Sequence, residues 1–227
     1  MKNLAVIPAR SGSKGLVDKN IKMLNGKPLM VYSIEAAKKS GIFDCVHVST
    51  DSEQYAEIAK QNGADVPFLR DDSLASDTAS TWDVIKYVLK KYKAVQQQFD
   101  SVTVLQPTSP LRSDTDIYGA YQLFVQKEAH AVISVCEMEH PPVWSNVLPE
   151  DGSLKGFLKP EANVRRQELP TYYRFNGAIY MVDVKHLLNT DDLYDEKSYA
   201  YVMDTKHSVD IDSAYDFAMA EFMMTLK

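Results

Sequence analysis

Three cations stand close together near the start of the chain: Arg10, Lys14 and Lys19 share one stretch with Gly12, Gly15 and Asn20. An arginine fork and lysine point charges bind phosphate oxygens, and glycine lets backbone N–H groups approach an anion. The apolar run Leu4–Pro8 leads straight into this stretch. A short apolar run reads as a buried strand, so the arrangement is a strand delivering a phosphate cradle. It is not the common phosphate loop, whose consensus pairs Lys with a following Ser or Thr. Taken alone, such a turn is as readily a solvated surface loop.

A second constellation is Val209-Asp210-Ile211-Asp212. In an extended segment both carboxylates point to one face. Such a pair suits a hard divalent cation, which commonly takes one or two carboxylates together with substrate phosphates. The competing reading makes Asp212 the cap of the following helix and leaves Asp210 in solvent. A phosphate loop on the same sheet favours the metal reading. A third stretch, Arg70 followed by Leu74–Thr81, holds Asp77, Ala79, Ser80 and Thr81. Its hydroxyls either cap a helix or meet a base and ribose. The fourth places Arg165, Arg166 and Arg174 among Tyr172, Tyr173 and Tyr180, where arginine can fork onto a substrate carboxylate or serve a structural ion pair. The five histidines fall outside these motifs, and no Ser-His-Asp or Cys-His set is evident.

These residues need a scaffold, and the chain reads as alternating strands and helices. Strand-like runs are Leu4–Pro8, Val46–Thr50, Val102–Gln106, Ala131–Val135 and Ala178–Val182. Helical patterns cover Leu29–Lys39, Ser52–Gln61, Ser80–Tyr92, Thr115–Lys127 and Ser213–Met224. In the third helix Val84, Ile85, Val88, Leu89 and Tyr92 share a face, while Lys86, Lys90 and Lys91 point away. The alternation predicts an α/β fold with a mostly parallel sheet between helices on both faces, a three-layer αβα sandwich. Ligands of such sheets bind beyond the C-terminal strand ends. Arg10, Asp51 and the Gln106–Arg112 segment follow the first three strands and should converge there.

The stretch 137–173 breaks the pattern. It carries Pro141, Pro142, Pro149, Pro160 and Pro170, two aromatics that the pattern leaves exposed (Trp144 and Phe157), and no clean period. A loop this long is functional or disordered, and its aromatics argue against disorder. It reads as an arm that packs on another subunit; a flap over the chain's own substrate is the other reading. The whole of 1–227 reads as one domain carrying this arm.

Composition narrows the partners. With 227 residues, 45% hydrophobic and 25% charged, the chain matches a soluble globular enzyme. A net charge of −6 argues against nucleic acid, whose binding needs a basic face. No apolar run approaches the ~18 residues of a membrane span, and a cytoplasmic location is expected. Cys45 and Cys136 each sit in a strand-like apolar run and read as buried free thiols.

Together the motifs resemble those of the CMP-sialic acid synthetases (N-acylneuraminate cytidylyltransferases). The resemblance runs from first strand to last helix. It rests on Ile7-Pro-Ala-Arg-Ser-Gly-Ser-Lys-Gly15 with Lys19-Asn20, Val48-Ser-Thr-Asp51, Leu74-Ala-Ser-Asp-Thr-Ala-Ser80, Leu105-Gln-Pro-Thr-Ser-Pro-Leu-Arg112, Arg166-Gln, Arg174-Phe-Asn-Gly-Ala-Ile-Tyr180 and Val209-Asp-Ile-Asp212. The related 3-deoxy-octulosonate enzymes lack the Gly-Ser-Lys-Gly run. The resemblance implies a Rossmann-like domain with a protruding dimerisation arm, and CMP transfer from CTP to the anomeric hydroxyl of a nonulosonic acid with release of pyrophosphate. It implies Mg²⁺ (or Mn²⁺) on Asp210 and Asp212. It assigns Arg10, Gly12, Lys14, Lys19 and Asn20 to the CTP phosphates and nucleotide, and Arg70, Asp77, Ala79, Ser80 and Thr81 to base and ribose. Gln106, Arg166, Arg174 and Tyr180 fall to the sugar acid. Arg10, Lys14, Asp210 and Asp212 would carry the chemistry, and the proton acceptor stays open among metal-bound water, an aspartate and solvent.

Two departures lie on the sugar side. Val143 stands where some members carry a lysine after the Pro-Pro pair, and the aromatic pair that a neighbouring subunit supplies in some members appears only as Leu193-Tyr194. The acid is therefore N-acetylneuraminic acid first, with legionaminic or pseudaminic acid as alternatives.

Overall fold

The structure is a computed structural model that describes residues 1–12, 15–74, 80–190 and 192–226. Lys14, Asp77 and Ala79 lie outside the described residues.

Among the described residues, eight strands and six α-helices follow one another along the chain. They are β1 (Asn3–Pro8), β2 (Met23–Leu24), β3 (Lys27–Pro28), α1 (Leu29–Ser40), β4 (Cys45–Ser49), α2 (Glu53–Gln61), α3 (Thr81–Ala94), β5 (Ser101–Val104), α4 (Asp114–Gln126), β6 (Ala131–Glu137), β7 (Tyr173–Asp183), α5 (Val184–Asn189), β8 (Ser198–Val202) and α6 (Ala214–Thr225). Helix starts follow elementary capping chemistry. The hydroxyls of Ser52, Ser80, Ser113 and Ser213 each accept from a backbone N–H of the first turn, and Ser113 and Ser213 complete capping boxes with Asp116 and Asp216.

The main sheet has the order β4-β1-β5-β7-β6-β8, and β2 and β3 form a separate hairpin. Along β1 the side chains alternate between two cores. Ala5 and Ile7 join Met30 and Ile34 of α1, Tyr55 of α2 and Ile117 of α4, while Leu4 and Val6 join Ile85, Val88 and Tyr92 of α3. A strand buried on both faces must be apolar throughout, and β1 is apart from Asn3. This is the three-layer αβα sandwich. A third, smaller core packs Leu24 and Leu29 against Ile211, Phe217 and Ala220, so α6 is held by the hairpin and the start of α1. Cys45 and Cys136 are buried free thiols, and burial pushes the Cys45 thiol up to about 12.

β7 modifies the parallel sheet. It runs antiparallel to both β5 and β6, whereas β4–β1, β1–β5 and β6–β8 are parallel pairs. Its N-terminal half therefore lies at the same edge as the C-terminal ends of its neighbours. Val104, the last residue of β5, pairs with Tyr180, which carries Gly177, Asn176 and Arg174 beyond the end of β5. The pattern Ala178–Val182 marked only the buried half of this strand. β8, α5 and the β2–β3 hairpin were not visible as elements, because two to six residues are too few to show a period.

Arg112 locks this edge. Its buried guanidinium donates to the Ala178 carbonyl (2.8 Å), the Gln106 carbonyl (3.2 Å) and Ser33 Oγ (2.6 Å), tying the loop after β5 to β7 and α1. Burial lowers its pKa to about 9, opposed by Asp116. Truncation would remove the guanidinium donor from the Ala178 carbonyl, at a cost of ~1–3 kcal/mol, while the Gln106 carbonyl keeps the Ser33 hydroxyl and the Ser109 N–H.

The excursion between β6 and β7 has short 3₁₀ turns at Pro142–Trp144, Pro160–Ala162 and Arg166–Glu168. Trp144 and Phe157, expected exposed, are half-buried. The Trp144 indole donates to the Ala162 carbonyl at 2.8 Å, so the aromatics organise the excursion from within. Val147, Leu148 and Leu154 are its most exposed large apolar side chains.

Candidate active site

The site grows from the loop after β1. Asp51, just past β4, accepts the Ser11 N–H at Oδ1 (2.8 Å) and the Ser11 hydroxyl at Oδ2 (2.5 Å). Burial alone would raise the Asp51 pKa, but those bonds outweigh it and hold the carboxyl below its usual range, aided by Arg70. Gly12 takes φ +66°, a left-handed turn that glycine makes without strain. Asn20 is buried and donates Nδ2 to the Arg10 carbonyl at 2.9 Å, bracing the loop from behind. Arg70 is buried too, with Nη2 on the Ser49 carbonyl (2.7 Å) and Nε on Ser49 Oγ (3.2 Å). Burial lowers its pKa to about 10; Asp51 opposes that shift and the neighbouring Arg10 adds to it. Arg10, Arg70 and Asp51 thus form one charged corner beside β1 and β4.

The second wall is the segment 208–212. It lies against the loop after β5 through the Ile211 N–H, which donates to the Thr108 carbonyl at 2.8 Å. Lys19 joins it to the first loop, with Nζ 2.6 Å from the Ile211 carbonyl and 3.3 Å from Asp212 Oδ1. Gly15 presses on the same segment, since a Cβ there would come within 2.9 Å of the Asp212 carbonyl. Two loops almost two hundred residues apart in sequence therefore form one cleft at the switch point between β1 and β5, where strand order reverses.

Asp210 is the centre of this wall. Its pKa is raised, mainly by burial, and further by Asp212; Thr108, Lys19 and Arg174 act in the opposite direction. Asp210 Oδ1 and the nearby Ser109 Oγ are buried without a hydrogen-bond partner among the described residues. Gly177, at φ +75°, lets the backbone of β7 close on this carboxylate, because a Cβ would stand 3.2 Å from Asp210 Oδ2. Asp212 is exposed, and the helix cap is Ser213 rather than Asp212, which removes the capping reading. A desolvated carboxylate with an unused oxygen, next to a second carboxylate, fits the oxygen donors a hard divalent cation needs.

The acid side is only partly assembled. Tyr180 sits close enough to Asp210 and Tyr194 that both add to the rise its burial causes. Trp82, at the start of α3, meets the Tyr180 ring edge-on at 6.3 Å and brings Thr81 to this corner. The Ser80 hydroxyl is committed to Asp83 as a helix cap, with Oγ accepting the Asp83 N–H at 3.1 Å, which favours its capping reading. Gln106 Oε1 accepts from the Thr108 hydroxyl at 3.4 Å. Arg174 is drawn toward Asp210, whereas Arg166 is more than half exposed and only loosely paired with Glu137, at 3.7 Å. Leu193 is buried in the chain's own core and cannot reach a partner. Tyr194 is exposed and stacks on Phe175 at 5.8 Å.

Sequence reasoning did not single out Asn176. This buried amide accepts the Ser134 hydroxyl (2.6 Å) and donates to Ser208 Oγ (2.9 Å), whose own hydroxyl donates to the Asp204 carbonyl. It fixes 208–212 against an irregularity in β6–β7 pairing between Ile133 and Val135. A polar residue beside glycine inside an otherwise apolar strand was the available signal.

A βαβ sheet with a cationic loop and an acidic segment facing each other across its switch point defines a nucleotidyltransferase. The cytidylyltransferase family model matches residues 4–221, and the chain belongs to that family. It is 39% identical to CMP-N,N′-diacetyllegionaminic acid synthase of Legionella pneumophila over 86% of this chain and 84% of that one. It is 41% identical to N-acylneuraminate cytidylyltransferase of Escherichia coli over 88% of this chain, and 37% identical to pseudaminic acid cytidylyltransferase of Campylobacter jejuni over 87%. The match spans 46% of the E. coli protein's length and 85% of the Campylobacter one. Among solved structures, a CMP:2-keto-3-deoxy-manno-octonic acid synthetase complexed with CTP superposes with a TM-score of 0.74 at 18% identity, covering 99% of both chains. At that identity the likeness is one of fold.

Because ionised Asp210 is held out of water, its charge costs the fold stability that is recovered when it is protonated. Asp210→Asn should therefore raise the melting temperature at pH 7 without divalent cation, while lowering turnover by ~100-fold or more. The stability gain should shrink as pH falls through the raised Asp210 pKa, where the wild-type carboxyl is protonated as well. Scanning calorimetry across pH checks this, and a variant less stable than wild type at pH 7 would contradict it.

Proposed function

We propose that this protein transfers CMP from CTP to the anomeric hydroxyl of a nonulosonic acid, releasing pyrophosphate. The observation that carries the reading is the cleft itself. A buried, partnerless Asp210 oxygen lies on the acidic wall, and Lys19 ties that wall to the loop after β1 that carries Arg10. Relatives at 37–41% identity act, by name, on legionaminic, neuraminic and pseudaminic acids.

In this reading Arg10 and Lys14 bind the triphosphate, with Gly12 giving the backbone its approach. Arg70 acts mostly by shaping the corner from which Arg10 reaches out. Lys19 and Asn20 hold the two walls and the loop in place, which is a positioning part within the nucleotide site. Thr81, Asp77 and Ala79 complete the base and ribose side, with Ser80 as the helix cap. Gln106, Arg174 and Tyr180 receive the sugar acid, and Arg174 forks onto its carboxylate. Arg166 joins them from the base of the arm. Asp210 and Asp212 hold Mg²⁺ (or Mn²⁺), which when bound neutralises charge on the reacting phosphates. The anomeric oxygen attacks the α-phosphorus, the bond between the α- and β-phosphates breaks, pyrophosphate leaves, and the hydroxyl proton passes to the medium or a nearby carboxylate. Asp212, exposed and only 3.3 Å from Lys19, can shift toward an arriving cation, whereas Asp210 is fixed.

The acid is N-acetylneuraminic acid, or, on a second reading, a legionaminic or pseudaminic acid; the Legionella and Campylobacter proteins match over most of their own lengths. Pyrophosphate release with CTP and a panel of these acids tests the reading. Release with at least one of the three is expected, and none with any of them would overturn it.

The chain is further proposed to form one domain whose arm, 137–173, builds a cytoplasmic homodimer. Val147, Leu148 and Leu154 are exposed along it, with Tyr173, Phe175 and Tyr194 exposed nearby. No helix among the described residues is long and apolar enough to cross a membrane. Val147→Glu together with Leu148→Glu should sediment as a monomer; an unchanged dimer would place the interface elsewhere.

A further inference from the structure

A second cluster of ligating side chains stands at the opposite end of the sheet. His130 immediately precedes β6, His186 lies in α5 just after β7, and Asp195 lies in the turn leading to β8. One ligand atom from each falls within 4.8 Å of the others. His130 Nδ1 is 2.7 Å from Asp195 Oδ2, and His186 Nε2 is 3.9 Å from the same oxygen. The two imidazoles stack with centroids 4.4 Å apart and planes 19° apart.

The carboxylate is held for a ligand's role. Its other oxygen, Oδ1, accepts the Lys197 N–H at 2.9 Å and the Ser198 hydroxyl at 3.1 Å, leaving Oδ2 aimed at the two rings. Outer partners of this kind orient metal-binding carboxylates. His186 Nε2 is the second, independent signal. It is buried and has no hydrogen-bond partner among the described residues, and a buried polar atom left unused calls for one. A proton shared between His130 and Asp195 satisfies only that pair and leaves His186 idle.

We propose that His130, His186 and Asp195 form a site for a borderline divalent transition-metal ion, typified by Zn²⁺, distinct from the cation site at Asp210. Two imidazoles and a carboxylate are the donors such ions favour over Mg²⁺. The His130 and Asp195 side chains are 36% and 26% exposed, so solvent reaches the cluster and can complete the coordination. The ion would pin the end of β7, α5 and the start of β8 together, far from the transfer chemistry.

The test uses untagged, chelator-stripped full-length protein carrying Asp210→Asn, which removes the first cation site from the readout. Calorimetric titration with Zn²⁺ should give one equivalent, with Co²⁺ at the same site producing visible absorption bands of low-symmetry coordination. Adding His186→Gln or Asp195→Asn should weaken Zn²⁺ at least as much as the ~10–100-fold lost when outer partners alone are removed. With Asp210 intact, His186→Gln should leave CMP transfer unchanged. Should His186→Gln fail to fold, His130→Gln at the more exposed ring supplies the same comparison. Zn²⁺ binding that is absent in the Asp210→Asn background, or equally tight in the histidine and Asp195 variants, would overturn the proposal.

Discussion

The site depends on a carboxylate kept out of water where three remote segments meet. Asp210 lies against the glycine backbone of β7, beside the loop after β5 and across from the loop after β1. Burying a charge without a full set of partners costs stability. The fold tolerates it because neighbouring contacts fix the backbone: the Ile211 N–H on Thr108, Lys19 on the Ile211 carbonyl, and Asn176 on Ser208. The carboxylate is thus held in a fixed position before any ligand arrives, the condition that electrostatic preorganisation requires.

That arrangement explains the direction of β7. In a fully parallel sheet, the residues before Tyr180 would lie at the far end of the molecule. Running β7 backwards brings Arg174, Asn176 and Gly177 to the ligand-binding edge, and Arg112 then welds the β7 backbone to the loop after β5. The arginines at this edge divide by burial. Arg112 and Arg70 are consumed by carbonyls, whereas Arg174 and Arg166 remain exposed.

Much of this was legible from residues alone. The apolar runs of β1, β4, β5 and β6 stood out because strands buried on both faces are mostly apolar, and the polar residues they do carry (His47, Thr103 and Ser134 among them) are few. The helices stood out through their length and apolar spacing, most clearly in Ser80–Tyr92 and in Ser213–Met224 with its capping serine; the caps at Ser52 and Ser113 emerge only from the structure. The pairing of Asp210 with Asp212 was also visible, since it is local. Asp51 was visible as a strand-end residue, but its clasp on Ser11 was not, and neither was Asn176, because their partners lie tens of residues away and only the sheet brings them near. The bonds of Lys19 to the Ile211 carbonyl and of Asn20 to the Arg10 carbonyl could not be foreseen either, because residue type alone does not say which groups a cation or amide meets. Trp144 and Phe157 misled for the same reason: an irregular segment can bury aromatics against itself without any period.

The account comes down to where a cation meets this cleft. Crystals grown with CTP and Mn²⁺ and measured at an anomalous wavelength would locate the ion directly. The structure predicts a peak bonded to an Asp210 oxygen and bridging to the triphosphate, with Arg10 on the opposite side. A nucleotide-bound ion with no bond to either Asp210 or Asp212 would contradict it.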